Sequence, residues 1–315
     1  MAQAFSRILL AYDDTDCSRM ALRYACALAR TGANLTIAYA CKDTNFVSSA
    51  VTAGFFPPVD PSGMIAAADE ECDSVLKAAV TACMAEGVSA EKVFVHGSLV
   101  DGIVATSRKR HADLIVVGTH GRKGVSRAIL GSVCERILRT SDVPVLVVTR
   151  HAKAPSERVF QCALVAVDES EPSRGALTFA ARLSTSLGTR LTLCTAVQSA
   201  RVDGGYDDAQ AFQSDLNAAA SNLAQRVEAA AVAAFIDDQL VIPGEPVRVI
   251  EDSAIKRNSD VIIVGSHGRR GFQRVLAGSV AETVVRSSVA PVLVVPGQHR
   301  TIRVDTHADQ LYEKV

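Results

Sequence analysis

The chain alternates short, unbroken apolar runs with longer stretches in which apolar side chains recur every three or four positions. ILLAY (8–12), LIVVG (114–118), ALVAV (163–167) and VIIVG (261–265) are runs of the first kind. A strand that is apolar at every position must be covered on both faces, the condition of a parallel sheet with helices on each side. The segments from Ser18 to Arg30 and from Ser173 to Leu187 have helical spacing and end at Gly32 and Gly188, the residue type that closes a helix in the left-handed conformation. LTIAYA and LTLCTAV predict second strands, Ala-rich stretches near 64–86 and 207–235 predict long helices, and strands are expected around VFVHG and QLVIPG. In each half a further helix leads into LIVVG or VIIVG, and a last one into PVLVV. The order βαβ(α)βαβαβ, met twice, predicts an α/β fold with an open, doubly wound parallel sheet in each half.

The halves are copies of one another. Residues 113–148 and 260–295 align at a constant offset of 147 with 20 of 36 positions identical, far above chance. Upstream, 8–40 parallels 163–197 at an offset of 155, so the first copy carries eight extra residues between the two blocks. The expected domains are therefore 1–149 and 159–296, joined by a polar, proline-bearing linker at 150–158 and followed by a polar tail at 297–315.

Composition agrees with two globular units and narrows the partners. A chain of 315 residues that is 48% apolar and 21% charged is long enough for two cores. Lys and Arg number 33 against 34 Asp and Glu, a net charge of −1, so nothing global favours nucleic acid or an anionic membrane. Neither a membrane-length apolar run nor the order of a signal peptide is present, which predicts a cytoplasmic protein. The eight cysteines form no CxxC pair and no Cys/His cluster, so most are expected to be small buried thiols in a reducing compartment, and no metal site is expected.

Chemistry concentrates at the strand ends. In a doubly wound sheet, ligands bind beyond the carboxyl ends of the strands, where strand order reverses. Asp13 and Asp168 end the first strand of each copy. Gly118-x-x-Gly121, nine residues and Gly131-Ser132 recur as Gly265-x-x-Gly268, nine residues and Gly278-Ser279, each running from a strand to a helix. Glycines let backbone N–H groups approach a ligand, and a helix start offers unpaired N–H groups with a positive dipole, which suits phosphate. Ser132 and Ser279 could bond a phosphate oxygen or magnesium, or simply cap the helix. Arg122, Lys123 and Arg127, matched by Arg269, Arg270 and Arg274, add local positive charge. The segment is neither a P-loop nor a dinucleotide fingerprint, and a glycine-rich turn also serves as a plain tight connection.

The pattern G-2x-G-9x-G-[ST], the aspartate ending the first strand and the closing PVLVV strand together resemble the universal stress protein family in its tandem two-domain form, over roughly 5–149 and 159–296. The resemblance implies Rossmann-like domains of the adenine nucleotide alpha hydrolase-like kind that bind ATP, with magnesium favoured. It places Gly118, Gly121, Gly131 and Ser132, and Gly265, Gly268, Gly278 and Ser279, at the phosphates, with Arg122 and Arg269 beside them. It places Asp13 and Asp168 near adenine or ribose, and the backbone at Ala40 and Ala196 beside adenine. Where the family commonly has Asp-Gly-Ser, this chain has Asp13-Asp14-Thr15 and Asp168-Glu169-Ser170. The family also implies pairing of the final strands, hence an intramolecular pseudo-dimer, with a homodimer as a further assembly.

The expected role is a nucleotide-dependent stress-response switch or sensor. The alternatives are a slow ATP hydrolase or nucleotide-transferring enzyme, and a nucleotide-free interaction scaffold. No catalytic residue is assigned: His120 and His267 sit at matched loop positions without a triad partner. The connection 41–63, with Phe46, Phe55 and Phe56, is either a lid over the first site, a partner surface or a packed loop.

Overall fold

The computed structural model describes residues 3–40, 61–95, 99–119, 130–198, 209–230, 235–266 and 279–297. The first copy runs β1 (Arg7–Tyr12), α1 (Asp16–Ala29), β2 (Asn34–Ala40), α2 (Pro61–Ala85), β3 (Ala90–Val95), α3 (Leu99–Lys109), β4 (Leu114–Gly118), α4 (Ser132–Thr140) and β5 (Val145–Val148). The second runs β6 (Cys162–Ala166), α5 (Glu171–Leu187), β7 (Arg190–Val197), α6 (Ala209–Ala230), β8 (Ile236–Pro243), α7 (Pro246–Lys256), β9 (Val261–Gly265), α8 (Ser279–Ser287) and β10 (Val292–Val295).

The ten described strands form one sheet in the order β3-β2-β1-β4-β5-β10-β9-β6-β7-β8. Pairing within each copy is parallel throughout, and the copies meet where β5 and β10 pair antiparallel. Val147 faces Val292, Leu146 faces Leu293 and Val145 faces Val294. Because Leu146 and Leu293 are equivalent in the repeat, the pseudo-twofold axis passes through that pair.

The sheet explains the unbroken apolar runs. Successive side chains on a strand point to opposite faces. Ile8, Leu10 and Tyr12 enter the core under α1, α2, α5 and α6, whereas Leu9 and Ala11 enter the core under α3, α4, α7 and α8. Both cores continue across the seam, one through Leu146, Val148, Leu293 and Val295, the other through Val145, Val147, Val292 and Val294. The link between copies is packed too: Ala152, Val159 and Phe160 are buried, and the Tyr24 hydroxyl donates to the Lys153 carbonyl at 2.8 Å.

Some boundaries differ from the periodicity. β3 and β8 each begin three residues earlier than the apolar pattern, at Ala90 and Ile236. They are the sheet's two edge strands, and their polar AEK and IDD starts need no cover on both sides. α1 starts at Asp16 because Thr15, not a later residue, accepts the first-turn N–H of Ser18 at 3.3 Å. α5 closes at Gly188 with φ +71°, as expected, whereas α1 ends at Ala29 with Arg30 as its cap, and Gly32, φ +110°, completes the following turn. The described part of the second Ala-rich helix ends at Ala230.

Cys17, Cys26, Cys83, Cys134 and Cys194 are buried free thiols, whereas Cys72 is disulfide-bonded. Among the described residues no helix is long and apolar enough to cross a membrane, and no group of three metal-ligating side chains occurs.

Candidate functional site

β1 and β4, and likewise β6 and β9, are the neighbours from which strand order runs in opposite directions, so the crevice beyond their carboxyl ends is the switch point of each half. Asp13 and Asp168 follow β1 and β6 there and make the same turn. Thr15 donates its N–H and hydroxyl to Asp13 Oδ1 at 3.2 and 2.6 Å, and Ser170 does so to Asp168 Oδ1 at 2.9 and 2.6 Å. Thr15 and Ser170 then cap α1 and α5. Each aspartate is thereby tied to the helix start that follows it.

The two turns differ at their middle residue. Asp14 lies in the left-handed region at φ +61°, where the resembled family commonly has glycine, while Glu169 has no positive φ. Asp14 accepts from the Tyr12 hydroxyl at 3.0 Å and pairs with Arg19 at 3.1 Å. Burial first, then the bond and charge of Asp14, push the Tyr12 phenol above its ordinary value. Glu169 instead accepts from Asn222 on α6 at 2.5 Å.

Gly118 and Gly265 end β4 and β9 directly against the helix starts. A Cβ on Gly118 would lie 2.9 Å from the Cys17 carbonyl carbon, and one on Gly265 would lie 2.4 Å from the Pro172 carbonyl. Packing alone therefore demands glycine at both positions. Gly131 begins the return, and its N–H donates to the Thr119 carbonyl at 2.9 Å, tying the start of α4 to the end of β4. Gly131 is itself the cap residue, with no side-chain bond to the first turn, so Ser132 is the first helical residue and is exposed. Of the uses open to Ser132, capping is not adopted. Ser279 likewise opens α8 and is exposed.

Two cavities meet at Asp168 in the second copy. One of about 130 Å³ is bordered by Asp168, Cys194, Ala196, Gly265, Ile250 of α7 and Ala281 of α8. It brings together three of the residues singled out above, with Val280 and Ala281, the two residues after Ser279, in its lining. The other, of about 330 Å³, opens toward α6 between Asp168, Glu169, Thr195, Asp215, Asn222 and Arg226. Asn222 and Arg226, four apart on α6, were not anticipated; two polar residues at helical spacing in an Ala-rich stretch are the only trace they leave. In the first copy Ala40 ends β2 opposite Val95. Gly121, Arg122, Gly268, Arg269 and Gly278 lie outside the described residues, as do the other basic loop residues, His120, His267 and the connection 41–60.

A profile of the universal stress protein family matches residues 4–149 and again 160–296. The chain belongs to the universal stress protein family. A universal stress protein of Methanocaldococcus jannaschii is 38% identical over 84 residues, 27% of this chain and 49% of that protein. The chain thus spans about half the length of that relative. One from Bacillus subtilis is 30% identical over 46% of this chain and 99% of its own length. Among solved structures, a universal stress protein from Archaeoglobus fulgidus superposes with a TM-score of 0.68 at 22% identity, covering 95% of this chain and all of that one. That likeness is one of fold and covers both copies.

Proposed function

We propose that this universal stress protein binds ATP, with magnesium, at the carboxyl edge of each half of the sheet, and that it works in the cytoplasm as a nucleotide-dependent switch. The observation that carries the reading is the cavity shared by Asp168, Ala196 and Gly265 beside the first turn of α8. Its lining combines apolar Val264, Ile250 and Cys194 with polar Asp168, Ser170 and Ser173, a mixture that suits a planar base with a charged extension. The helix starts at Ser132 and Ser279 would receive phosphate oxygens through N–H groups and the serine hydroxyls, with Gly121, Arg122, Gly131, Gly268, Arg269 and Gly278 around them. Asp13 and Asp168, held by their own turns, would accept hydrogens from ribose or adenine. Magnesium would offset charge between neighbouring phosphate oxygens.

Calorimetry on nucleotide-stripped, folded chain tests this. Saturable ATP binding is expected, with up to two molecules per chain. Absence of saturable heat at millimolar ATP would refute it. Gly131→Asp should abolish binding at the first site while leaving the second, with ATP affected far more than adenosine because the new charge faces phosphate. Phosphate release over hours would instead identify a slow hydrolase.

A further inference from the structure

α1 and α2 pack together over β1 and β2, and their seam holds two thiols in contact. Cys26 Sγ and Cys83 Sγ are 3.2 Å apart, with the two residues 1% and 0% exposed. Bonded sulfurs lie about 2.05 Å apart, so roughly 1.2 Å of closure separates this pair from a disulfide. Packing does not by itself call for thiols here. The counterpart of Cys26 in the second copy is Ala181, and α6 contains no cysteine.

The seam also lies close to two helix ends, with Cys26 three residues before the end of α1. α2 ends at Ala85, two residues beyond Cys83, and Gly87 turns the chain at φ +75°. Only the ion pair of Arg30 with Glu86, at 2.8 Å, bridges the two helices next to the thiols on that side among the described ion pairs. Helix ends open locally at far lower cost than the strands beneath them, which admits a small oxidant. Cys26 donates its S–H to Cys83 Sγ; that bond draws the Cys83 thiol below its ordinary value and, with burial, pushes Cys26 above its own. Cys83 is thus the better thiolate and Cys26 the resolving thiol.

The geometry points to Cys26 and Cys83 as a reversible redox-modification site, oxidised to a disulfide by peroxides. Cys83 thiolate attacks one peroxide oxygen, the O–O bond breaks, and hydroxide leaves and takes up the proton that Cys83 released, giving water and a sulfenic acid on Cys83. Cys26, giving up its proton, then attacks Cys83 Sγ; the S–S bond forms as the S–O bond breaks, and the departing hydroxide takes that proton as a second water. Two thiols and one hydrogen peroxide yield one disulfide and two waters, the sulfurs losing the two electrons that the peroxide oxygens gain. The product pins α1 to α2 across 57 residues, and in the first copy alone.

Peptide mapping of the whole chain decides the matter. Reduced protein is exposed to hydrogen peroxide, remaining thiols are blocked with iodoacetamide in denaturant, and the chain is cut with trypsin. Residues 24–30 and 78–92 each contain a single cysteine and end at a cleavage point, so their joined mass reports this bond directly. The joined peptide is expected from folded protein, is lost on treatment with dithiothreitol and is absent from Cys26→Ala, which copies the residue of the second copy. Closing the loop should raise the melting temperature by roughly 5–10 °C. Recovery of unmodified Cys26 and Cys83 while half-buried Cys162 is oxidised, or a joined peptide that forms only in urea, would overturn the proposal.

Discussion

Gly265→Ala and Gly118→Ala separate two reasons for a glycine at the end of a strand. The added methyl of Gly265→Ala meets the Pro172 carbonyl carbon and oxygen at 2.4 Å and the Ser173 nitrogen at 2.7 Å, whereas that of Gly118→Ala meets Cys17 at 2.9 Å and the Ser18 nitrogen at 3.1 Å. Carbon atoms in contact sit about 3.5–4.0 Å apart, so the first change forces α5 and β9 apart by about 1 Å or more and the second moves α1 roughly half as far. The atoms struck are mainly backbone and cannot rotate away. Overpacking of this kind costs about 1–3 kcal/mol and sometimes more, which puts Gly118→Ala near 1–2 and Gly265→Ala at 3 or above. At about 2–4 °C per kcal/mol for domains of this size, the melting temperature should fall by roughly 2–8 °C and 6–12 °C respectively. Both losses are expected without nucleotide, read by urea midpoints and calorimetry. A Gly265→Ala protein within about 0.5 kcal/mol of wild type, or one less destabilised than Gly118→Ala, would refute helix packing as the reason for the glycine.

Three further outcomes are expected. Cutting the chain at the exposed Ser156–Glu157 bond should leave two halves that co-elute in gel filtration, and Val147→Pro with Val294→Pro should separate them, because proline removes ladder N–H groups from the β5–β10 pair. Asp14→Gly relaxes a left-handed backbone but loses Arg19 and Tyr12, so the unfolding free energy from urea titration should change by less than about 1 kcal/mol, while ultraviolet titration should show the Tyr12 phenol ionising at lower pH, still above its ordinary value because burial is the larger cause. Asp113 and Asp260 each accept two backbone N–H groups at the start of β1 and β6, yet burial holds both carboxyls above the usual aspartate range. A carboxyl that binds its proton more tightly folded than unfolded adds stability as pH falls from its folded to its unfolded value, so Asp113→Asn with Asp260→Asn should flatten that acid-side gain in urea midpoints and cost about 1–3 kcal/mol per site at neutral pH.

Interior strands were legible in the sequence because burial on both faces leaves nothing polar within them, as in LIVVG and VIIVG. Edge strands were legible only in their apolar halves, since AEK and IDD answer to solvent rather than to a core. The strand-end position of Asp13 and Asp168 followed from topology alone. What Gly118 and Gly265 pack against did not, because Cys17 and Pro172 lie some ninety to a hundred residues away in the chain. Nor could periodicity choose between Gly131 and Ser132 as the cap, which depends on one dihedral pair, or show that Asn222 and Arg226 border a hollow beside Asp168.

The β5–β10 seam also imposes an order of events on the ribosome. The first half of the sheet can close as soon as β5 emerges, but its partner strand is among the last described segments to be made. At about 5–20 residues per second, the intervening stretch of about 150 residues takes roughly 7–30 s to synthesise, and for that interval Val145–Val148 is a bare, fully apolar edge. Neighbouring nascent chains on one messenger present the same edge at the same stage, and antiparallel pairing between two copies of β5 uses the register that β10 later occupies. Assembly of this chain is therefore a race between intramolecular completion and exchange with a neighbour, and the short, packed connection through Ala152, Val159 and Phe160 favours the former by holding the second half close to the edge it must cover.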